Sequence, residues 1–178
     1  MFSKTSIRRA AAALALTLLP ALPAAAVEYQ FQVGRSYMDS HGANTVFTEA
    51  VFDEHTLGNS NFSWSPDVSV GWIGGREVAR YRGDHPGTDD DIWLAAGGLR
   101  FHYGDEGAWY HPLFFSEQGA VHTGHTQALS STGEFVSTLG WQGQRFSFAI
   151  RHISNAGLHN PNRGETMALV GIAFGGND

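Results

Sequence analysis

Phe146-Ser147-Phe148-Ala149-Ile150-Arg151-His152-Ile153-Ser154-Asn155-Ala156-Gly157 is the stretch on which the fold of this chain turns. Its side chains alternate, and on a strand residues i and i+2 point the same way. His152 and Ser154 therefore share a face with Phe146, Phe148 and Ile150, while Ser147, Ala149 and Arg151 take the other. In a soluble protein the greasy face is core, and a His/Ser pair there is out of place. The pair makes sense if the greasy face meets lipid and the substrate is a lipid.

Seven more segments read as strands by alternation and β-propensity, giving eight at roughly 28–37, 44–55, 61–74, 91–103, 108–117, 128–138, 143–154 and 166–174. The gaps are rich in Gly, Asp, Asn and Pro, and the longest, Arg76 to Asp91, is a polar loop. Aromatics fall near many strand ends, among them Tyr29, Tyr37, Trp72, Trp93, Tyr103 and Trp141, as interfacial girdles require. No run after residue 26 is long and apolar enough for a spanning helix. A membrane-crossing chain must then close its sheet, because only a barrel satisfies a strand backbone in lipid. The fold class expected is all-β, an eight-stranded antiparallel transmembrane barrel with its interior filled by side chains, which argues against a channel.

The N-terminus reads as an export signal. Lys4, Arg8 and Arg9 precede an apolar run from Ala10 to Leu22, and Ala24-Ala25-Ala26 fits the small-residue cleavage rule. Residues 1–26 are thus expected to be removed, leaving 27–178 as a single barrel domain. The formal net charge of −6 argues against nucleic acid as a partner, and the absence of Cys excludes disulfides and thiolate chemistry.

Ester hydrolysis needs a nucleophile, a base to take its proton and a group to orient the base. Ser154 supplies an oxygen. His152, about 6.5–7 Å away at Cα on the same face, is within side-chain reach and is the side chain best suited to proton transfer near neutral pH. This chemistry requires no cofactor. If both termini lie on the periplasmic side, the seventh strand runs outward and the pair sits near the outer leaflet. His111, His122 and His125 invite a metal, but His122-Thr-Gly-His125 lacks a third ligand, so no metal is expected. Asp89-Asp90-Asp91 reads as a solvated acidic loop, and Gly97-Gly98 as bends or close-packed strand positions.

His152-x-Ser154-Asn155-Ala156-Gly157, a short spacer, Pro161-Asn162-x-Gly164 and a nearby acid together resemble the signature of the lipid A deacylase (PagL) family of outer-membrane esterases. The resemblance covers about 15 residues closely. It implies hydrolysis of the ester-linked 3-hydroxyacyl chain at position 3 of lipid A in lipopolysaccharide. It also implies a site on the lipid-facing surface and an oxyanion hole from the Gly157 N–H and the Asn162 side chain. Asn155 follows the nucleophile and is expected to shape the turn.

The chain departs from the pattern at the acid, which in the family follows the glycine by two positions. Here that position is Thr166, and Glu165 directly follows Gly164. Strict alternation points Glu165 inward, and a bulge is needed to swing it toward His152 as the orienting acid. No Phe-x-Asp precedes the seventh strand, only Glu134. A non-enzymatic small barrel, an esterase acting on phospholipid and a soluble secreted β-protein therefore stay open, as does a homodimer.

Overall fold

The computed structural model describes residues 27–39, 41–76, 91–105 and 107–175. The proposed export segment, most of the Arg76–Asp91 loop and the last three residues lie outside them. The strands are β1 (Glu28–Met38), β2 (His41–Val51), β3 (His55–Thr56), β4 (Phe62–Ile73), β5 (Ile92–Tyr103), β6 (Leu113–His122), β7 (Gly133–Gln142), β8 (Phe146–Ser154) and β9 (Glu165–Gly175). Each long strand pairs antiparallel with its sequence neighbour, β1 also pairs with β9, and β2 with β4. The sheet is thereby a closed eight-stranded antiparallel barrel, with the two-residue β3 added beside β4 at one rim. No helix among the described residues is long and apolar enough to cross a membrane. Strands of nine to twelve residues do suit a tilted crossing.

The barrel is inside-out relative to a soluble protein. Phe146, Phe148 and Ile150 are 60%, 56% and 54% exposed on the outer face, as are Val33, Val70, Leu139, Val170 and Ile172 at similar levels. The lumen holds a buried ionic network. Glu49 takes Arg151 at 2.7 Å and Arg100 at 2.8 Å. Asp67 accepts hydrogen bonds from Ser116 at 2.7 Å and Gln118 at 2.8 Å. The guanidinium carbons of Arg100 and Arg151 lie 3.9 and 4.6 Å from the ring centroids of Phe114 and Phe47. Buried charges persist only when paired and hydrogen-bonded, and here the pairing crosses the lumen and fills it. Apolar side chains on an outer face stay exposed in this way only where the surrounding solvent is lipid.

Two strands begin five residues later than the sequence predicts, at 113 rather than 108 and at 133 rather than 128. Residues 108–112 are consumed by successive turns, with the His111 N–H donating to Ala108 O at 3.0 Å and the Leu113 N–H to Tyr110 O at 2.9 Å. Ala128 and Leu129 form no strand either. The Thr126 N–H bonds Leu129 O at 2.9 Å, and this buried turn folds in over one end of the barrel. There it packs with Met38, Ile92, Val136, Ile153 and Met167 in an apolar floor.

Candidate active site

The outer face of β8 carries His152 and Ser154 at the end of the barrel away from the chain termini, where Glu28 pairs with Gly175. Behind them, fully buried Ile153 anchors the strand in the apolar floor. The pair is thus mounted on a rigid element. The strand register sets its neighbours. Glu117 of β6, Ser137 of β7, His152 of β8 and Thr166 of β9 are successive cross-strand partners in one row on the outer face.

His152 is fixed on two sides. Its Nδ1 lies 2.9 Å from Thr166 Oγ1. Its ring edge lies against Gly164, where a Cβ would stand 2.7 Å from Cε1 and 3.1 Å from Nε2. Gly164 is therefore needed twice, for its φ of +67° and for the imidazole it admits. With Nδ1 held by a hydroxyl, Nε2 is the nitrogen left for proton transfer. A threonine hydroxyl holds the ring plane, but it can donate as well as accept, so unlike a carboxylate it neither imposes one tautomer nor carries a negative charge.

Glu165 does not join this row. The register runs unbroken from Ile153↔Glu165 to His152↔Thr166, so the bulge needed to swing the acid outward is absent. The Glu165 carboxylate points into the lumen, where Arg76 Nη2 reaches both oxygens at 2.9 Å and the Ser36 hydroxyl donates a short hydrogen bond. Arg76 in turn donates to His41 O at 2.8 Å. This acid is a strut between β1, β9 and the segment after β4. Glu134 is also inward, accepting from Ser131 at 2.8 Å beside His122.

The loop after Ser154 is tightly built. Asn155, Ala156, Gly157 and Leu158 form a type I′ turn, with φ of 54° at Ala156 and 80° at Gly157 and the Leu158 N–H bonded to Asn155 O at 3.0 Å. Asn155 is buried and shapes this turn, accepting from the Gly157 N–H at 3.0 Å and donating to His159 O at 3.0 Å. Asn162 accepts the Asn155 N–H at 3.2 Å through Oδ1. A backbone N–H can only donate, so this bond fixes the amide orientation and leaves Asn162 Nδ2 as a donor. A Cβ at Gly157 would meet nothing within 4 Å, so its backbone is open to approach. The Gly164 N–H bonds Ala128 O at 3.0 Å, and Ser130 Oγ lies 2.9 Å from His159 Nδ1, which ties the loop to the buried turn after β6.

A groove of about 550 Å³ opens on the outer surface beside Ser154. Phe135, the cross-strand partner of Ser154, forms its near wall with Leu158, and the small residues Ala95, Gly97, Gly119 and Gly133 form its floor. Its lining is largely apolar. The histidines weighed for a metal do not converge. His111 bonds Gly104 O at the opposite end, and no cluster of three or more potential ligands occurs among the described residues.

Sequence reasoning missed Ser137 and Glu117. Ser137 stands directly across from His152 and donates to Glu117 Oε2 at 2.6 Å. Finding them requires the register of β6 and β7, the two strands whose starts were misplaced. Thr166 had a signal, since strict alternation put it on the face of His152.

A family model described as Lipid A 3-O-deacylase (PagL) matches residues 47–174. Among solved structures, the crystal structure of the outer membrane enzyme PagL aligns with a TM-score of 0.56 at 16% identity, covering 83% of this chain and 99% of that one. Ail, the attachment invasion locus protein of Yersinia pestis, aligns with a TM-score of 0.37 at 9% identity over 83% of this chain and 96% of that one. The first likeness shows the fold and the second carries no argument. No curated protein matches the chain in sequence.

Proposed function

The chain belongs to the lipid A 3-O-deacylase (PagL) family, and from that premise we propose that it is an outer-membrane serine esterase. Its substrate is lipid A of lipopolysaccharide, from which it removes the ester-linked 3-hydroxyacyl chain at position 3. Residues 1–26 direct export and residues 27–178 form the barrel domain. The termini face the periplasm, so the His152–Ser154 end meets the outer leaflet. The observation that carries this reading is the outward row itself: a histidine fixed by Thr166 and Gly164, beside a serine, on a surface otherwise made for lipid.

The lipid diffuses laterally to the outer face of β8. Its acyl chain lies in the groove beside Phe135, which presents the ester carbonyl to Ser154. Ser154 Oγ attacks the carbonyl carbon as His152 Nε2 takes the hydroxyl proton. Charge develops on the carbonyl oxygen, where Asn162 Nδ2 donates and the Gly157 N–H turns from Asn155 Oδ1 to donate as well. The intermediate collapses, and His152 returns the proton to the sugar oxygen that leaves. Water, deprotonated by His152, then attacks the acyl-enzyme carbonyl, His152 returns that proton to the departing Ser154 Oγ, and the fatty acid leaves. Thr166 orients the imidazole throughout. Every group used comes from one chain, so no second copy is required.

The test is incubation of the folded barrel in detergent with purified lipid A, followed by mass spectrometry of lipid and product. Loss of one 3-hydroxyacyl chain with wild type and none with Ser154→Ala supports the proposal. Release from phospholipid with lipid A untouched would replace the substrate. No release from either lipid would favour a non-enzymatic barrel.

A further inference from the structure

Among the described strand residues, and besides the histidines His55 and His152, the outer face carries two side chains of permanent charge, Arg35 on β1 and Glu117 on β6. A charge on a lipid-facing surface is disfavoured and by default marks a functional group. The two lie on opposite sides of β8, each two strands away in the order β6, β7, β8, β9, β1. Four strand spacings separate them, about 19 Å, so they cannot neutralise each other. Glu117 is met by Ser137. Arg35 has a different and more elaborate setting.

Arg35 Nη1 donates to Asn44 Oδ1 at 2.9 Å across the β1–β2 pair. Its guanidinium lies against Gly42, where a Cβ would stand 2.7 Å from Nη2 and 3.2 Å from Nε. The Tyr37 ring flanks the same glycine, 3.0 Å from that Cβ position. Because Asn44 gives its oxygen to Arg35, its Nδ2 faces away as a further donor. Guanidinium, phenol and carboxamide thus gather around one glycine, all able to donate. The nearest acid along the chain, Asp39, is held by Arg163 at 2.6 Å. A freely snorkelling arginine needs neither the glycine bed nor the asparagine clamp.

Asn44 and Gly42 lie one strand farther out on β2, but Tyr37 pairs with Thr166, which pairs with His152, so the near edge of this cluster lies two strands from the base, about 10 Å. That is roughly the span of one sugar ring with its substituents. We propose that Arg35, Tyr37 and Asn44 form an anion subsite that takes a phosphate on the sugar headgroup of the substrate while Ser154 attacks the ester. A planar guanidinium fork matches phosphate oxygens in pairs, and a preset fork loses less on binding. The proposal rests on the lipid A esterase reading for its substrate, but the subsite can be probed without turnover.

The experiment compares wild type, Arg35→Gln and Arg35→Lys, each folded in nonionic detergent, on phosphorylated lipid A and on the same lipid with its phosphates removed enzymatically. Both affinity, measured with fluorescent lipid in mixed micelles, and steady-state kinetics are recorded. Loss of one charge-assisted pair predicts a roughly tenfold to hundredfold weaker affinity of Arg35→Gln for the phosphorylated lipid, expressed in KM rather than kcat. No change is expected on the dephosphorylated lipid, and Arg35→Lys should recover part of the loss. Equal behaviour of wild type and Arg35→Gln on the phosphorylated lipid overturns the subsite. So does an equal loss on both lipids, which would mark Arg35 as a general anchor or a structural contact. Absence of turnover in wild type would count against the esterase reading alone, because the affinity comparison would still decide the subsite.

Discussion

Ile153↔Glu165 and His152↔Thr166 are adjacent pairs on the same two strands, one facing the lumen and the other facing lipid. On the lumen side the polar group is a full carboxylate, held by Arg76 and Ser36. On the lipid side it is a neutral hydroxyl, held by His152. Charge is tolerated where counter-ions can be built around it, and the closed lumen supplies them. The outer face has few such partners, and the position beside His152 holds a group that orients without ionising. One residue step along β9 thus separates a structural ion pair from the contact that holds the proposed base.

Removal of the reactive groups should have the largest effect. Ser154→Ala and His152→Ala are each expected to lower lipid A deacylation on the order of a thousandfold or more, measured as fatty-acid release from folded protein. The lumen side should respond in stability instead. Glu165→Ala takes the carboxylate from Arg76 and the acceptor from Ser36, and breaking a buried charge-assisted pair from one side costs on the order of 2–3 kcal/mol. Urea unfolding should register this loss, while the folded fraction retains deacylation within a few-fold of wild type. Comparable loss of rate and of stability would blur the two faces and return Glu165 to the mechanism.

Gly164→Ala tests how the base is seated. The added methyl would meet the His152 ring at 2.7 Å, at a backbone φ of +67° that alanine rarely adopts. A displaced base of this kind predicts a roughly hundredfold lower kcat. Thr166→Val removes the hydroxyl at constant shape, and loss of one orienting hydrogen bond predicts about a tenfold lower kcat. Thr166→Glu should act in the opposite direction, because a carboxylate there both orients His152 and stabilises the imidazolium. A smaller effect is expected in the groove. Gly119→Leu fills its floor and should slow cleavage of long acyl chains a few-fold relative to short ones, read by competition between lipid species.

The sequence carried these features unevenly. Alternation through Phe146–Ser154 sets the parity of His152 and Ser154, and alternation from Thr166 to Phe174 turns Glu165 inward; both match the structure. The carboxylate's partners were out of sight, because Arg76 and Ser36 reach it from residues 89 and 129 positions away. Ala128-Leu129 misled for a different reason. An apolar pair in a β-rich sequence looks like strand, yet here it seals the end of a lumen that only the closed barrel creates. Ser137 and Glu117 are ordinary polar residues until register sets them in line with His152.

The most direct test of the outward site is covalent trapping of its nucleophile. Folded barrel in detergent is treated with a fluorophosphonate, and the site and extent of labelling are measured by mass spectrometry on wild type, His152→Ala and Glu165→Gln. A single adduct on Ser154 is predicted in wild type and in folded Glu165→Gln, with none in His152→Ala. Labelling elsewhere, labelling that persists without His152, or labelling lost in a fully folded Glu165→Gln barrel would contradict a nucleophile activated by His152 on the lipid-facing surface.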